Sequence, residues 1–264
     1  MVKFKDYIAP KSVEEAYEVL ISKKTARLIG GGCFIRMGGK KIVLAVDLAQ
    51  AELDYIIDKE DEIEIGAMTS LRTFETSELL EENFGSAVRD SVKHIIGVQL
   101  RNIAVLGATV YSKYGFSDPL TLLLAMDADV YLHKGGRISL ESYLKEDEGR
   151  RDILEKIIIN KNIDSLRFET MRNSAVDYAI LSTAFSQING KSKISVGARP
   201  RKATLAYDAM KYLDENGINE ETAKRAGEIA AEELEFGDNN RGSAVYRKEL
   251  CKVLVKRAIL GVTK

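Results

Sequence analysis

The start of the sequence predicts an α/β protein, because helical and strand patterns follow one another there, and both recur along the 264 residues. A capping-box sequence, Ser-Val-Glu-Glu, begins at Ser12 and predicts a helix that runs to about Ser22. Isoleucine alternates with glutamate over residues 62–66, which predicts a half-buried strand. Near the end, two amphipathic segments at 220–236 and 243–260 predict a pair of closing helices.

Shorter elements fill the first half of the chain. An apolar strand is predicted at 27–29, directly before three glycines, and another at 42–46. Residues 55–57 are expected to form a hairpin with 62–66. The remaining predicted elements here are a helix from Ser70, a helix within 84–96 in which Val88, Val92 and Ile95 or Ile96 face inward, a helix from Pro119 to Met126 and a strand at 128–133.

A charged stretch at 146–151 predicts a boundary, beyond which a second unit begins. Val176, Ile180 and Ala184 recur at helical spacing and predict a helix over 175–184. Strands of this second unit are predicted at 157–159, 165–168 and 192–196. In the last helix the predicted apolar stripe is Tyr246, Leu250, Val253 and Leu254, and the residues expected to face solvent are Arg247, Lys248 and Lys252.

Charge and composition exclude several classes of protein. Lys and Arg total 39 against 40 Asp and Glu, so no basic excess indicates nucleic-acid binding. No apolar stretch approaches the roughly 20 residues of a membrane span, and no signal peptide is evident, so we expect a cytoplasmic protein. Cys33 and Cys251 lack cluster spacing, and we expect no carboxylate or cysteine cluster near His94 or His133. A redox function would therefore need an organic cofactor.

Two glycine-containing turns are the strongest functional signal, Leu28-Ile29-Gly30-Gly31-Gly32-Cys33 and Val105-Leu106-Gly107-Ala108-Thr109. Successive N–H groups in such turns can bind an anion such as a diphosphate. Alternatively, the glycines serve only a tight turn. The pattern is neither the dinucleotide fingerprint nor a P-loop. Bound phosphate would therefore contact turns rather than one helix N-terminus.

Several segments, in order, resemble the flavin subunits of the molybdenum hydroxylases, such as the medium subunits of carbon monoxide dehydrogenase and bacterial xanthine dehydrogenase. The first turn is similar to the family's L-L-A-G-G-T-D-L, and residues 98–109 are similar to P-Q-I-R-N-x-G-T-I-G-G-N. Asp118 matches the aspartate of S-P-A-A-D-L-x-P, and residues 238–247 match D-x-R-G-S-A-x-Y-R. The resemblance covers essentially the whole chain, and together these motifs are specific.

The resemblance implies a fold and a domain division. The implied fold class is α+β, and residues 1–160 would form a two-part FAD-binding domain of the vanillyl-alcohol-oxidase/MurB-like type, whose subdomains divide near 55–60. Residues 161–264 would form a smaller α+β C-terminal domain like that of carbon monoxide dehydrogenase flavoproteins.

The resemblance also implies FAD in an extended pose, with its diphosphate against the two turns and its ribose donating hydrogen bonds to Asp118. No catalytic acid or base is implied. The cofactor-binding positions that it implies are Arg27, Leu28, Ile29, Gly30, Gly31, Gly32, Cys33, Phe34, Ile96, Val105, Gly107, Ala108, Thr109, Asp118 and Leu154.

By the same resemblance, the chain passes electrons from the iron–sulfur clusters of a small two-cluster subunit to NAD or another acceptor. A large molybdopterin subunit would oxidise the substrate. Cys33, Phe34, Val105, Ala108 and Thr109 depart from the family pattern. These departures leave open a flavin-free scaffold subunit of the same kind of complex. A free-standing FAD enzyme is a third interpretation, against which the end motif argues.

A few further residues allow two interpretations each. Tyr111, Tyr114 and Phe116 could stack on the cofactor or simply cover their loop. Cys33 could be a reactive thiol, although a small residue in a tight turn is favoured. Arg241 and Arg247 could contact phosphate or a partner carboxylate, although the favoured interpretation is that they tie the end domain down while Ser243 caps the last helix. His94 is expected to be solvated or capping.

Overall fold

The computed structural model describes residues 2–37, 41–146 and 151–262. It confirms the α+β class. Residues 147–150 of the expected boundary lie outside the described residues. The strands are β1 Lys3–Ile8, β2 Ala26–Ile29, β3 Lys41–Asp47, β4 Ile56–Asp58, β5 Glu62–Gly66, β6 Asp129–Leu132, β7 Gly136–Ser139, β8 Leu154–Asn160, β9 Ile163–Arg172, β10 Ala179–Ile188, β11 Lys191–Gly197 and β12 Thr204–Leu205.

Helices occur in both halves of the chain, and a 3-10 turn spans Leu48–Gln50. The α-helices are α1 Val13–Ser22, α2 Cys33–Met37, α3 Leu71–Thr76, α4 Glu78–Phe84, α5 Ala87–Val92, α6 Val98–Arg101, α7 Leu106–Tyr111, α8 Asp118–Ala125, α9 Leu140–Lys145, α10 Tyr207–Asn216, α11 Glu220–Glu233 and α12 Ala244–Leu260. Within the described part of the chain, none of these helices is long and apolar enough to span a membrane.

The chain forms two compact units from interleaved segments. The first comprises Met1–Phe74, Val98–Ser112 and Asp129–Ile158, and the second comprises Glu75–Gly97, Lys113–Ala128 and Ile159–Lys264.

The first unit contains two sheets. One has the order β1-β3-β2 with parallel pairing, and helix α1 connects its edge strands. Ala16 and Leu20 are the buried face of α1, and Ser12 caps it by accepting the Glu15 N–H, as the capping box predicted. Strand β1 was not predicted from the sequence, because most of its residues are exposed and it has no apolar face.

The second sheet of this unit has the order β4-β5-β8-β6-β7. Its β4–β5 hairpin confirms the pairing predicted for 55–57 with 62–66. Strand β8 was expected in the second unit, but Ile157 pairs with Val130 of β6 in the middle of this sheet. The isoleucines at 157–159 are apolar because β8 is buried between two neighbouring strands. The local sequence pattern does not identify those neighbouring strands.

The second unit is built on an antiparallel sheet with the order β12-β11-β10-β9. Helices α10, α11 and α12 pack against it around a core that includes Phe185, Leu213 and Leu254. The helix predicted over 175–184 is wrong. That segment leads into β10, whose residues 179–186 are buried on both faces between β9 and β11. A continuously buried central strand shows no alternation, so its apolar residues also match helical spacing.

The helix predicted within residues 84–96 is confirmed as α5, which spans only Ala87–Val92. Phe84 is the last residue of α4, and Gly85, which has φ +62°, separates the two helices. Val88 and Val92 are buried as expected, but Ile96 is 51% exposed. Glycine ends helices because it adopts this left-handed conformation at little cost.

Candidate functional site

The two glycine turns predicted from the sequence lie against each other in the first unit. Gly31 has φ +64°, and a methyl group on it would lie 2.0 Å from the Ile103 carbonyl oxygen. A methyl group on Gly30 would lie 3.0 Å from a Val105 methyl carbon. Both contacts join the first turn to the segment 103–105, where the second turn begins. The fold therefore assembles these two segments into one locus.

The second turn is held by backbone hydrogen bonds at the start of α7. The Leu106 N–H donates to the Thr69 carbonyl at 2.9 Å, and the Gly107 N–H donates to the Ala67 carbonyl at 2.8 Å. A methyl group on Gly107 would lie 2.4 Å from the Ala67 methyl carbon. Close packing thus explains the glycine at 107 without any ligand.

Two features of this locus remain open for a ligand. Gly32 has φ +70°, and a methyl group on it would have as its nearest neighbour an Ile29 carbon 3.7 Å away. Among the described residues, the backbone N–H of Ala108 has no acceptor. An open glycine surface and a donating N–H are what an anionic group requires of a backbone site.

The side chains that depart from the family pattern contribute little polarity here. Cys33 is half-buried, Phe34 is 42% exposed, and Val105 is buried. The Thr109 hydroxyl donates to the Val105 carbonyl at 3.4 Å inside the same segment. Any anion at this locus would therefore be held chiefly by backbone N–H groups.

The other expected positions are divided between the units. In the first unit, Arg27 donates to the Lys24 and Ala26 carbonyls, Leu28 is half-buried in β2, and Leu154 is buried where β8 begins. Asp118 and the exposed Ile96 belong to the second unit.

Asp118 begins α8 and is almost fully buried. Arg172 donates from Nη2 to its Oδ2, which forms an ion pair whose side chains are only 7% and 4% exposed. Among the described residues, Asp118 Oδ1 and Arg172 Nε have no hydrogen-bond partner. Burial raises the pKa of Asp118, while Arg172 and the nearby Ser182 hydroxyl oppose this rise. The Ser182 hydroxyl also lies 3.2 Å from the Thr121 hydroxyl.

Both histidines have charged neighbours that local sequence did not reveal. His133 was expected to lack nearby carboxylates, but its ring nitrogens lie 2.6 Å from Glu155 and 2.8 Å from Glu14. For His94, burial and the charge of Arg172 lower the pKa. These partners are distant in sequence, so no spacing signal could have identified them.

The aromatic residues after the second turn contact one another. Tyr114 stacks on Phe116 at 5.0 Å between ring centroids, and Phe116 meets the Tyr178 ring edge-on at 4.7 Å. These contacts favour the interpretation in which the two rings cover their loop. Tyr111 belongs to the first unit and is 38% exposed.

The end motif has a structural role in the second unit. Ser243 caps α12 by accepting the Tyr246 N–H, as predicted. Arg241 pairs with Asp177 at 2.8 Å, which agrees with its expected anchoring role.

Arg247 was expected to face solvent, but it is fully buried. It donates to the carbonyls of Ile180, Gly237 and Gly242 and to the Asn239 side chain. A buried cation with this many acceptors joins α12 to the sheet. Helical periodicity predicted an exposed Arg247 because it counts arginine as polar. It cannot identify the acceptors, which lie outside the helix.

The described residues contain no group of three or more His, Cys, Asp or Glu side chains that could hold a metal ion. Neither cysteine forms a disulfide.

Two family models together match nearly the whole chain. The model described as "FAD binding domain in molybdopterin dehydrogenase" matches residues 2–161. The model described as "CO dehydrogenase flavoprotein C-terminal domain" matches residues 167–262.

Individual proteins with similar sequences or structures agree with these matches. The medium subunit of nicotine 6-hydroxylase from Paenarthrobacter nicotinovorans is 24% identical, over 96% of this chain and 95% of that protein. A carbon monoxide dehydrogenase chain from Hydrogenophaga pseudoflava has a TM-score of 0.90 at 21% identity, covering 99% of this chain and 97% of that chain. A quinoline 2-oxidoreductase chain from Pseudomonas putida 86 has a TM-score of 0.88 at 23% identity, covering 98% and 96%. At these identities the two solved structures show a shared fold.

Proposed function

Because the chain belongs to the family of FAD-binding domains in molybdopterin dehydrogenases, we propose that it is the flavin subunit of a multi-subunit molybdenum hydroxylase. FAD is its cofactor, and the chain is an oxidoreductase subunit. The match over residues 2–161 carries the proposal, because it includes both glycine turns and Asp118. When bound, FAD supplies the electron-transfer chemistry, and the protein supplies binding and orientation.

We assign the diphosphate of FAD to the two turns of the first unit. The open surface at Gly32 and the Ala108 N–H support this assignment. Backbone donors do not depend on side-chain identity, so the substitutions at Cys33 and Thr109 leave them in place. The wider proposed contact set keeps the expected residues, from Arg27 to Phe34, Ile96, Val105 to Thr109, Asp118 and Leu154.

We assign Asp118 separately, as an acceptor for a ribose hydroxyl. The support is its unpartnered Oδ1, since a buried carboxylate oxygen without a donor carries a free-energy cost that a hydroxyl would remove.

We propose that residues 1–160 form the FAD-binding domain, whose two subdomains divide near residues 55–60. Residues 161–264 would form the C-terminal domain. The first family match ends at residue 161 and the second begins at residue 167, which supports this division.

We further propose that partner subunits supply and remove the electrons. The nicotine 6-hydroxylase relative is a medium subunit, which supports a hetero-oligomer. Two cysteines are too few for the four thiolates of an iron–sulfur cluster, so we place the clusters on a small partner subunit. A large molybdopterin subunit would oxidise the substrate, and NAD or another acceptor would remove the electrons.

Absorbance spectroscopy of the purified chain tests the cofactor assignment. We expect a yellow protein with a flavin spectrum, or a colourless one that regains this spectrum when FAD is added. A chain that stays colourless with excess FAD would instead act as a flavin-free scaffold.

Anaerobic reduction tests the electron-transfer role. The complex, purified through a tag on this chain, should lose flavin absorbance when substrate is added. The isolated FAD-loaded chain should not, because its substrate site would lie on another subunit. Bleaching of the isolated chain by substrate would contradict the proposal.

A further inference from the structure

His133 joins the two sheets of the first unit through a pair of carboxylates. It follows β6 of the second sheet, and its Nδ1 lies 2.6 Å from Glu155 Oε1 on β8 of that sheet. Its Nε2 lies 2.8 Å from Glu14 Oε2 on α1, the helix that connects β1 and β2 of the first sheet. Both nitrogens of one ring therefore face carboxylate oxygens, and the two carboxylates come from different elements.

These two contacts match a ring that carries two protons. A neutral imidazole has one N–H, and its other nitrogen presents a lone pair. That lone pair would point at a carboxylate oxygen, and two acceptors at hydrogen-bond distance repel each other. An imidazolium donates from both nitrogens and satisfies both carboxylates at once.

The charges around His133 also favour the protonated ring. An imidazolium and Lys134 together supply two positive charges for Glu14 and Glu155, whereas a neutral ring removes one of the two. Lys134 Nζ lies 3.0 Å from Glu14 Oε2. Hydrogen bonds from Lys134 and then His133 lower the pKa of Glu14, so this carboxylate stays ionised in mildly acidic solution. The ionisable groups that face the ring and its turn are Glu14 and Tyr17 of α1, Lys134, Asp152 and Glu155.

Backbone contacts hold His133 in place whatever its charge. Its N–H donates to the Ile153 carbonyl at 2.9 Å, and the next N–H, that of Lys134, donates to Asp152 Oδ1 at 3.1 Å. Loss of a proton from the ring should therefore release a carboxylate rather than move the ring. Glu14 is the carboxylate that can leave more easily, because its side chain is 57% exposed against 22% for Glu155.

Arg151 ties the other end of α1 to the segment before β8. Its guanidinium donates to the Lys23 and Lys24 carbonyls, just beyond the last turn of the helix, at 3.0 and 3.2 Å. Arginine stays protonated in folded proteins. Helix α1 therefore has a link near its end that does not depend on pH, and a link at its first turn that depends on a proton.

We infer that His133 is a pH-sensitive latch between α1 and the second sheet of the first unit. The latch is closed while the ring carries two protons and Glu14 is ionised. It opens at Glu14 when the ring loses a proton as pH rises, within the range of about pH 5–8 in which histidine side chains titrate. Both glycine turns belong to the same unit, so opening loosens the part of the chain in which we place the FAD diphosphate.

Nitrogen NMR of the histidine rings tests the latch, because the chemical shift of a ring nitrogen depends on whether it carries hydrogen. The full chain, labelled with nitrogen-15 in its two histidines, is followed from about pH 5 to about pH 9. A His94→Gln variant assigns the signals. We expect two protonated nitrogens in His133 at the acidic end, and a proton on Nδ1 alone at the alkaline end. One protonated nitrogen throughout would overturn the latch, and a proton kept on Nε2 would overturn its opening at Glu14.

Glu14→Gln tests whether the carboxylate on α1 holds the second proton on the ring. It should lower the pH at which His133 loses that proton by about half a unit or more, because an opposite charge in contact is removed. Glu18→Gln is the matched control, since Glu18 is exposed on the same helix one turn further along. It should have little effect, and equal shifts in the two variants would overturn the contact.

A double-mutant cycle of His133→Gln and Glu14→Gln tests the link between the two sheets. In urea unfolding, the two substitutions should be coupled by about twofold or more in the unfolding equilibrium constant near pH 5.5, and uncoupled near pH 8.5. Equal coupling at both pH values would overturn the pH dependence, and no coupling at either would overturn the link. None of these measurements requires bound FAD, so their failure would leave the proposed function intact.

Discussion

The α-carbon of Gly31 lies so close to the Ile103 carbonyl oxygen that a methyl group on it would be 2.0 Å from that oxygen. Both residues belong to the first unit, and their contact brings the two turns together. The triple glycine therefore has a packing role in addition to any role in binding phosphate. These two roles can be separated by substitution.

Gly31→Ala should destabilise the chain by at least about 3 kcal/mol, because it combines left-handed backbone strain with a clash against backbone. Gly136→Ala is the control: Gly136 lies in the same unit with φ +66°, but nothing lies within 4 Å of a methyl group there. It should cost only about 1–2 kcal/mol. Denaturant unfolding measures both, and equal losses would show that the clash is relieved by movement of the turn.

Gly32→Ala should affect FAD more than folding. Gly32 has φ +70° with open space beside it, so the folding cost should resemble that of Gly136→Ala. A methyl group there would occupy the surface proposed for the diphosphate. We expect a larger fractional loss of bound FAD, measured by absorbance, than Gly136→Ala causes. Full FAD content in the Gly32→Ala chain would place the diphosphate elsewhere.

Arg247→Met should destabilise the second unit by about 3–5 kcal/mol, because four acceptors, including the buried Ile180 carbonyl, lose the donor that joins them. Lys248→Met is the control, since Lys248 is the exposed neighbour on the same helix. It should change stability by less than about 0.5 kcal/mol. Thermal unfolding compares the two, and similar melting temperatures would refute the anchoring role of Arg247.

The two cysteines should differ in reactivity. Burial raises the pKa of Cys251 to about 12, so little thiolate forms at neutral pH. Cys33 is half-buried. Iodoacetamide should therefore add once to the native chain, at Cys33, and twice after denaturation. Peptide mass spectrometry locates the adducts, and native modification of Cys251 would show that the second unit opens readily.

His94 should make folding sensitive to acid. Its pKa is lowered below 6.5, chiefly by burial, so the unfolded chain binds the proton more readily than the folded chain. Its stabilising contribution is therefore present above the unfolded pKa and is lost as pH falls through that value toward the folded pKa. The stability difference between the unmodified chain and His94→Gln should shrink from about pH 8 to about pH 5. A difference independent of pH would contradict the shift.

Local sequence determined much of this protein. The cap at Ser12, the cap at Ser243 and the hairpin of β4 with β5 follow from residues a few positions apart. The family motifs also identified the two turns and the cofactor class, because each motif is a short contiguous segment.

Tertiary structure decided the features whose partners are distant in sequence. Residues 179–188 form a strand because β9 and β11 pair with both of its edges, although their spacing also fits a helix. Arg247 is buried because its acceptors come from β10 and from the loop before α12. Asp118 meets Arg172 across 54 positions, and no pattern within one element encodes that contact. The periodicity of apolar residues predicts which side chains are buried, whereas the tertiary structure determines which groups contact one another.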